Sequence, residues 1–470
     1  VKDGHDIESG RAVERLSEPS YFFRLSAYQE PLLRWYRENP DCIRPRTRYN
    51  EVLSFIEGGL RDLSVSRTSL KWGIPYPGDD AHVVYVWLDA LTNYISALGF
   101  GSDDEALYEE VWPATMHLVG KDILRFHCVY WPAFLMSAGL PLPKQVFGHG
   151  WWLRDEAKMS KSIGNVVRPD YLIERFSADA LRYFLAREMA FGQDASFSDE
   201  AFLERFNADL ANALGNTASR TLSMTGRYLD GKVPAVSEDG PVPAAAAAAV
   251  ASYREHMEDC EPNRALEGAW QLLKAIDVHI QEQQPWARAK EGEAGRAALV
   301  NTLYVSLEGL RLTALMIEPF MPAIAKNLRH QLGVDDMPRN LGDATGWGGL
   351  AEGTVIGKTE PLFPRVDIKA YIKELQMDPS KEETPVTPKS DLLSIDEFFK
   401  TKLVVGTIRE AEQVPKSKKL VRLMVDLGEA ELRQLVAGIA ERYEAADLVG
   451  RQIVVVSNLK PAKLMGVESK

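Results

Sequence analysis

The sequence is poor in cysteine and has no long hydrophobic run. Its three cysteines, Cys42, Cys128 and Cys260, lie far apart, form no Cys-x-x-Cys pair and leave an odd count. This argues against a disulfide framework and against zinc ligands within this chain, and it indicates a reducing, cytoplasmic compartment. No window approaches ~18 consecutive apolar residues, which predicts no membrane-spanning helix and no membrane partner.

The sequence also lacks the net positive charge that is typical of nucleic-acid-binding proteins. Its formal charge is −12 at pH 7. The charge is unevenly distributed, because residues 394–470 carry 13 Lys and Arg against 11 Asp and Glu. A nucleic-acid partner at this end of the chain is therefore compatible with the acidic total.

Apolar patterning divides the chain into several regions, as its length of 470 residues predicts. Short apolar runs at 82–88, 116–119 and 145–148 alternate with helical patterns, which predicts a mostly parallel α/β sheet with ligands beyond the carboxyl ends of its strands. In this interpretation Trp87 closes the first strand, and the helix after the second has a kink at Pro132.

The second half of the chain has a different character. Long amphipathic patterns after Glu200 predict a helix bundle, and the three prolines of residues 378–391 predict a flexible linker. Short β-rich runs from Phe398 onward predict a small barrel. The predicted fold is multidomain, with an α/β Rossmann-like part at 1–146, a basic-loop region at 147–200, a helix bundle at 201–345, a helix and linker at 346–393, and a barrel at 394–470.

The most informative segment is the pentapeptide KMSKS, residues 158–162, which follows the third predicted strand. Lys158 and Lys161 are interleaved with small hydroxyl residues and followed by Gly164, which suits a basic loop that closes over polyphosphate. A solvated turn is the alternative interpretation. A second group of interest is aromatic: Trp87, Tyr94, His127 and Trp131 could surround a thioether, or they could pack in an ordinary core.

Several separate blocks carry a family resemblance over nearly the whole chain. With KMSKS in place, the chain resembles the class I aminoacyl-tRNA synthetases, and specifically the methionyl-tRNA synthetases. The blocks are SYFFRLSAYQEPLL, SRTSLKWGIP, YVWLDALTNY, HLVGKDILRFHCVYWPAFL, KMSKS, GNTASR, QQPWARAK and NLKPAKLMGVES.

The resemblance implies ATP-dependent ligation of L-methionine to tRNA(Met) through a methionyl-adenylate, with Mg²⁺ as a cofactor. Lys158 and Lys161 would hold the β and γ phosphates. Asp122 could cap a helix, which is compatible with a nucleotide contact, and His149 could equally be a hinge histidine. The implied ATP-binding residues are Gly120, Asp122, His149, Lys158, Met159, Ser160 and Lys161, and the implied methionine-binding residues are Trp87, Leu91, Tyr94, His127 and Trp131. Leu91 stands where some family members carry proline.

Two tRNA contacts are implied as well. Asn216 and Arg220, spaced i, i+4 on one helix, and Trp286 would read the CAU anticodon, although a tryptophan after Pro285 could also be a helix staple. The C-terminal module resembles a tRNA-binding OB-fold that can form a homodimer, and its match stops at 466–470, short of the family's last strand. Its backbone-directed charges would come from Lys416, Lys418, Lys419, Lys460 and Lys463.

One family element is missing from the 470 residues. None of the eight histidines forms the His-x-Gly-His motif that binds ATP in the family. We therefore expect a fragment that lacks the N-terminal part of the catalytic domain and is inactive by itself. The alternatives are a non-catalytic tRNA-binding protein and a synthetase for isoleucine, leucine or valine, which the absence of a large editing insertion disfavours.

Overall fold

The computed structural model describes residues 17–154, 157–159, 166–338, 342, 346–377, 398–415, 417–440 and 442–469. The chain divides into two compact units, Val1–Leu375 and Gln376–Lys470, and we describe each by itself. Within the described ranges, no helix is long and apolar enough to cross a membrane.

A parallel sheet organises the first part of the larger unit. Its strand order is β2-β8-β7, and both neighbouring pairs are parallel, as predicted. Helices α1 and α2 pack with the sheet into one core that includes Leu32, Ile56 and Val129. The elements up to β8 are β1 Phe22–Phe23, α1 Gln29–Glu38, β2 Ile43–Arg44, α2 Arg46–Glu57, β3 Leu63–Ser64, β4 Ser66–Arg67, β5 Pro75–Tyr76, β6 Asp79–Val84, α3 Val86–Ser96, α4 Ala106–Val111, β7 His117–Gly120, α5 Trp131–Ala138 and β8 Val146–His149.

The prediction of a single buried strand over 82–88 is wrong. Strand β6 ends at Val84 and lies in a separate antiparallel sheet with β4 and β5, joined to β5 by a turn at Gly78, which has a φ of +83°. Helix α3 begins at Val86, so Trp87 lies in the first turn of a helix and not at the end of a strand. The apolar run therefore covers the end of a strand and the start of a helix. Val86, the first residue of that helix, is 62% exposed.

The helix after β7 is irregular, and a long-range hydrogen bond explains how it accommodates proline. It begins with a 3₁₀ turn over 121–123, passes through a π-helical segment over 126–130 and continues as α5. Pro132 has no N–H to donate to the carbonyl of Cys128 four residues earlier. The buried hydroxyl of Tyr36 donates to that carbonyl instead.

The rest of the larger unit is mostly helical, with three short strands among its described residues, and packs around one extensive core. Leu203, Phe206, Leu210 and Leu214 are buried in this core, and residues 206–216 form a π-helical segment. The elements are β9 Trp152–Arg154, β10 Ala157–Lys158, α6 Pro169–Phe176, α7 Ala178–Glu188, β11 Ala195–Ser196, α8 Asp199–Arg205, α9 Thr217–Tyr228, α10 Pro241–Glu258, α11 Pro262–Gln283, α12 Pro285–Arg288, α13 Glu293–Ile317, α14 Pro322–Leu332 and α15 Ile368–Met377.

The C-terminal unit contains a curved antiparallel sheet in the order β14-β13-β12-β15 and a hairpin of β16 with β17. Its core includes Ile408, Leu423 and Val455, and a register shift follows Ile408 in β12. This arrangement agrees with the predicted OB-fold, whereas the predicted linker over 378–391 lies outside the described residues. The strands are β12 Leu403–Gln413, β13 Val421–Asp426, β14 Arg433–Ala437, β15 Gln452–Val456, β16 Ala462–Leu464 and β17 Val467–Ser469.

Candidate functional site

Three of the predicted nucleotide-binding residues lie together at the carboxyl ends of the parallel strands. Gly120 and His149 are register partners at the ends of β7 and β8. A Cβ atom on Gly120 would lie 2.6 Å from Oδ1 of Asp122 and 3.9 Å from Cε1 of His149. Any larger residue at 120 would displace the carboxylate of Asp122, which explains the glycine.

Gly120 is the N-cap of the 3₁₀ turn, and Asp122 lies in its first turn. Oδ1 of Asp122 accepts a hydrogen bond from Nε1 of Trp151 at 3.3 Å. Lys121 donates to Oδ2 of Asp194 at 2.6 Å, and its ammonium lies 4.2 Å from the centre of the Trp151 ring. The hydrogen bond from Lys121 lowers the pKa of Asp194. The sequence did not point to Trp151 and Asp194, since their partners are distant in the chain.

The basic loop begins on a short hairpin. Lys158 lies on β10, which pairs antiparallel with β9, and β9 in turn pairs with β11. Met159, the next residue, is half-buried and packs against the core of the helical region. Ser160 and Lys161 lie outside the described residues, so their predicted roles stay predictions.

The predicted methionine-binding residues converge on one aromatic cluster. The hydroxyl of Tyr94 lies 2.9 Å from Nε2 of His127, and Nδ1 of His127 lies 3.0 Å from the carbonyl of Ile123. Because a carbonyl can only accept, Nδ1 carries the proton and Nε2 accepts from Tyr94. Burial lowers the pKa of His127, which favours this neutral form. Leu91 and Trp131 are buried in the same cluster.

Trp87 joins this cluster from the first turn of α3. Its ring stacks on Phe126 with the centroids 3.7 Å apart, and its centroid lies 6.4 Å from that of His127. Tyr94 lies 6.3 Å from Trp131 by the same measure. The aromatic side chains therefore pack together in one largely apolar cluster.

His117 is a further member of this cluster, and the sequence motifs did not single it out. Its ring centroid lies 4.2 Å from that of Tyr94 and 6.0 Å from that of His127. Burial lowers the pKa of His117 to about 4. Nε2 of His117 and Nε1 of Trp131 are buried and have no hydrogen-bond partner in the part of the chain that the structure describes. In the sequence, the one indication that His117 faces inward is strand alternation, which places His117 and Val119 on one face of β7 and Leu118 on the other.

The three predicted anticodon residues lie around the end of α11. Arg220 donates from Nη1 to Oδ1 of Asp277 at 2.8 Å, and its Cζ lies 5.9 Å from the centre of the Trp286 ring. Asn216 is exposed and lines a cavity of about 560 Å³ together with Asp277 and Trp270. The structure thus places Arg220 beside Trp286. Asp277, which accepts a hydrogen bond from Arg220, lines the same cavity as Asn216.

Trp286 stands at the start of the short helix α12, directly after the buried Pro285. The indole retains 36% of its surface exposed, although Arg220 lies over it. A ring that only stapled the helix would be covered by apolar neighbours. The role of Trp286 in anticodon reading stays a prediction.

Four of the five predicted lysines of the C-terminal unit fall on described residues, and all four are exposed. They are Lys418, Lys419, Lys460 and Lys463. Lys416 lies outside the described residues. Elsewhere, no group of three or more His, Cys, Asp or Glu side chains that could hold a metal ion occurs among the residues that the structure describes.

Three family models match consecutive parts of the chain. They are the class I (M) tRNA synthetases at residues 3–222, the anticodon-binding domain of methionyl tRNA ligase at 233–374, and a putative tRNA-binding domain at 403–470. The methionine-tRNA ligase of Halalkalibacterium halodurans is 46% identical over 475 residues, which cover 98% of this chain and 72% of that protein. The chain belongs to the methionyl-tRNA synthetases.

Other relatives of this methionyl-tRNA synthetase chain agree. The methionine-tRNA ligase of Bacillus subtilis is 44% identical over 482 residues, which cover 99% of this chain and 72% of that protein. The solved structure of Mycobacterium tuberculosis methionyl-tRNA synthetase in complex with methionyl-adenylate has a TM-score of 0.72 and 47% identity, and the match covers 77% of this chain and 72% of that one.

Proposed function

We propose that three groups of residues carry out separate parts of methionyl-tRNA synthesis, within the domain boundaries predicted above. The strand-end site is Gly120, Asp122 and His149, the aromatic cluster is Trp87, Leu91, Tyr94, His127 and Trp131, and the α11 surface is Asn216, Arg220 and Trp286. The reaction is the ATP-dependent ligation of L-methionine to tRNA through a methionyl-adenylate. One observation carries the assignment of residues. Tyr94 and neutral His127 are hydrogen-bonded to each other and pack with the buried Trp131 in one aromatic cluster.

In the first step the methionine carboxylate attacks the α-phosphorus of ATP. A bond forms between a carboxylate oxygen and phosphorus, and the bond from phosphorus to pyrophosphate breaks. Gly120, Asp122 and His149 would hold the adenosine, with Asp122 accepting from a ribose hydroxyl. Lys158, Met159, Ser160 and Lys161 would close over the phosphates, and the two lysines would offset the charge that develops on the leaving pyrophosphate. The role of Mg²⁺ stays a prediction, and we assign no step to it.

Methionine selection would reside in the aromatic cluster. An aromatic wall favours the polarisable sulfur by ~0.3 to 1.5 kcal/mol per contact. Neutral His127 donates to Ile123 and accepts from Tyr94, so both of its ring nitrogens are paired. Trp87 and Leu91 complete the walls. Branched aliphatic side chains would fill this space with a different shape, which supports methionine over isoleucine, leucine or valine.

Anticodon reading would reside on the α11 surface. Asn216 and Arg220 offer hydrogen-bonding groups to base edges, and the exposed face of Trp286 offers a stacking platform for an unstacked base of the CAU anticodon. The exposed lysines of the C-terminal unit would contact the tRNA backbone with no base preference.

The proposed homodimer has support in the C-terminal sheet. Leu403, Val405 and Val454 are exposed by 52, 60 and 68%, and register pairing places Val405 opposite Val454. Apolar side chains of this kind on one face of paired strands suit a subunit interface. We also propose that the protein acts in the cytoplasm, where its tRNA substrate is charged.

Binding of a non-hydrolysable methionyl-adenylate analogue tests the proposal. We expect the methionyl analogue to bind at least tenfold more tightly than the isoleucyl and leucyl analogues, since one misplaced methyl group costs about 1 to 3 kcal/mol. Equal affinity for the three would contradict the assignment of the cluster. Pyrophosphate exchange with the 470-residue chain checks separately whether these residues catalyse adenylation by themselves.

A further inference from the structure

The guanidinium of Arg220 is held by two side chains of α11. Nη1 donates to Oδ1 of Asp277 at 2.8 Å. In the amide orientation that satisfies its neighbours, the side-chain oxygen of Gln281 accepts from both Nη1 and Nη2 of Arg220 at 3.2 Å. The Arg220 Cζ atom lies 5.9 Å from the centre of the Trp286 ring. Asp277 and Gln281, one turn apart, therefore fix the guanidinium beside the indole.

The ion pair between Arg220 and Asp277 contributes little to the stability of the fold. The side chains of Arg220 and Asp277 are 27% and 43% exposed. Pairs with this exposure contribute little to folding, because water screens the charges and ordering two side chains costs entropy. A guanidinium carries more N–H donors than these contacts use, so a held Arg220 can still donate to a ligand.

Asp277 also borders the space where a ligand would lie. It lines the cavity of about 560 Å³ together with Asn216, Gln271 and Lys274. Arg220 follows Asn216 by one helical turn and pairs with Asp277, so the carboxylate contacts one predicted reading residue and lines the same cavity as the other.

We propose that Asp277 is a positioning residue for anticodon reading, which holds the Arg220 guanidinium so that its remaining donors face a base edge beside Trp286. This inference rests on the proposed anticodon function of Arg220. Without Asp277 the flexible arginine side chain samples other rotamers and is attracted to any nearby phosphate. The predicted loss is therefore of discrimination between anticodons more than of total affinity.

The test is a fluorescence titration of the full chain with a CAU stem-loop and with stem-loops in which one anticodon base at a time is changed. In Asp277→Ala we expect the ratio of cognate to altered affinity to fall about tenfold, the effect of losing a hydrogen bond to a charged group. Asp277→Asn keeps an acceptor oxygen and should restore most of the ratio. Glu282→Ala removes an equal charge from the exposed end of the same helix and should leave the ratio unchanged.

An unchanged ratio in Asp277→Ala would overturn the inference, as would an equal loss in Glu282→Ala or no rescue by Asp277→Asn. Arg220→Ala separates this failure from that of the proposed function. If Arg220→Ala lowers the ratio and Asp277→Ala does not, only the positioning role is wrong. If Arg220→Ala leaves the ratio unchanged, the anticodon role itself is wrong.

Discussion

The methionine cluster and the anticodon surface recognise their proposed ligands with opposite kinds of side chains. In the cluster, Leu91 and Trp131 are only 1% and 2% exposed, and His127 is neutral. On the α11 surface, Asn216 and Trp286 are exposed, and Arg220 is charged and paired with Asp277.

The difference follows from the size and polarity of the two ligands. A small apolar side chain is selected by the shape of a dry enclosure, whose polar atoms must be neutral and mostly paired. An RNA loop is too large to enclose, so it is read by exposed donors held in direction by their neighbours. We therefore expect low pH to affect the methionine cluster, and changes of the anticodon bases to affect binding at the anticodon surface.

The largest expected effect concerns the basic loop. A substitution there should lower the reaction rate and leave ligand binding at both recognition sites unchanged. Lys161→Ala in the active synthetase should lower the adenylation rate by ~10² to 10³, the typical effect of losing one preorganised charge at the reacting phosphates. Methionine affinity and CAU stem-loop affinity should stay near normal. Pyrophosphate exchange measures the rate, and Lys373→Ala on the exposed side of α15 is the matched control. A parallel loss of methionine binding would mean that the loop supports the fold.

The second prediction concerns the wall of the methionine cluster. Trp131→Ala should weaken methionine binding by ~1 to 3 kcal/mol and leave ATP affinity unchanged, because it removes contacts to the side chain only. Tryptophan fluorescence measures the binding. Trp35→Ala is the matched control, because Trp35 is half-buried in a different core. A collapse of ATP binding in Trp131→Ala would assign the residue to the structural core.

The third prediction concerns the effect of low pH on the free energy of unfolding. Burial lowers the pKa of His117 from 6.5 to about 4. Between these values the unfolded chain binds a proton that the folded chain does not, so the free energy of unfolding falls as pH falls from about 6.5 to about 4. We expect His117→Gln to remove about 1 to 3 kcal/mol of this fall. Denaturant unfolding at pH 7, 5.5 and 4.5 measures it, and an unchanged pH dependence in the variant would contradict the account.

The smallest effect concerns the C-terminal unit. Replacing Lys460 and Lys463 with alanine should lower tRNA affinity equally for cognate and altered anticodons. It should also reduce the slope of log affinity against log salt by about one for each phosphate that a replaced lysine neutralises. Titrations at several salt concentrations measure the slope. A selective loss for the cognate anticodon would mean that the module reads sequence.

The sequence predicted the elements whose causes are local and missed those whose causes are distant. Alternation and turn residues located β7 and β8, and therefore Gly120 and His149. The π-helical segment before Pro132 was not predicted, and the hydrogen bond from Tyr36 to the carbonyl of Cys128 within it joins residues that are far apart in the chain. The end of β6 was misplaced because apolar residues continue into α3.

The same distinction applies to the sites. Trp87, Tyr94, His127 and Trp131 could be named from residue type and family pattern. His117 could not, because its place against Tyr94 comes from the packing of β7 on α3. Asp277 looked like any charge on an amphipathic helix, since Arg220 precedes it by 57 residues and only the fold brings them together.

The most direct test of this separation of sites is one set of four titrations. Trp131→Phe and Trp286→Ala are each titrated with L-methionine and with the CAU stem-loop, beside the wild-type protein. We predict that Trp131→Phe weakens methionine alone, by less than Trp131→Ala does, and that Trp286→Ala weakens the stem-loop alone, by ~1 to 3 kcal/mol. A variant that loses both ligands, or a Trp286→Ala protein that binds the stem-loop normally, would contradict the account.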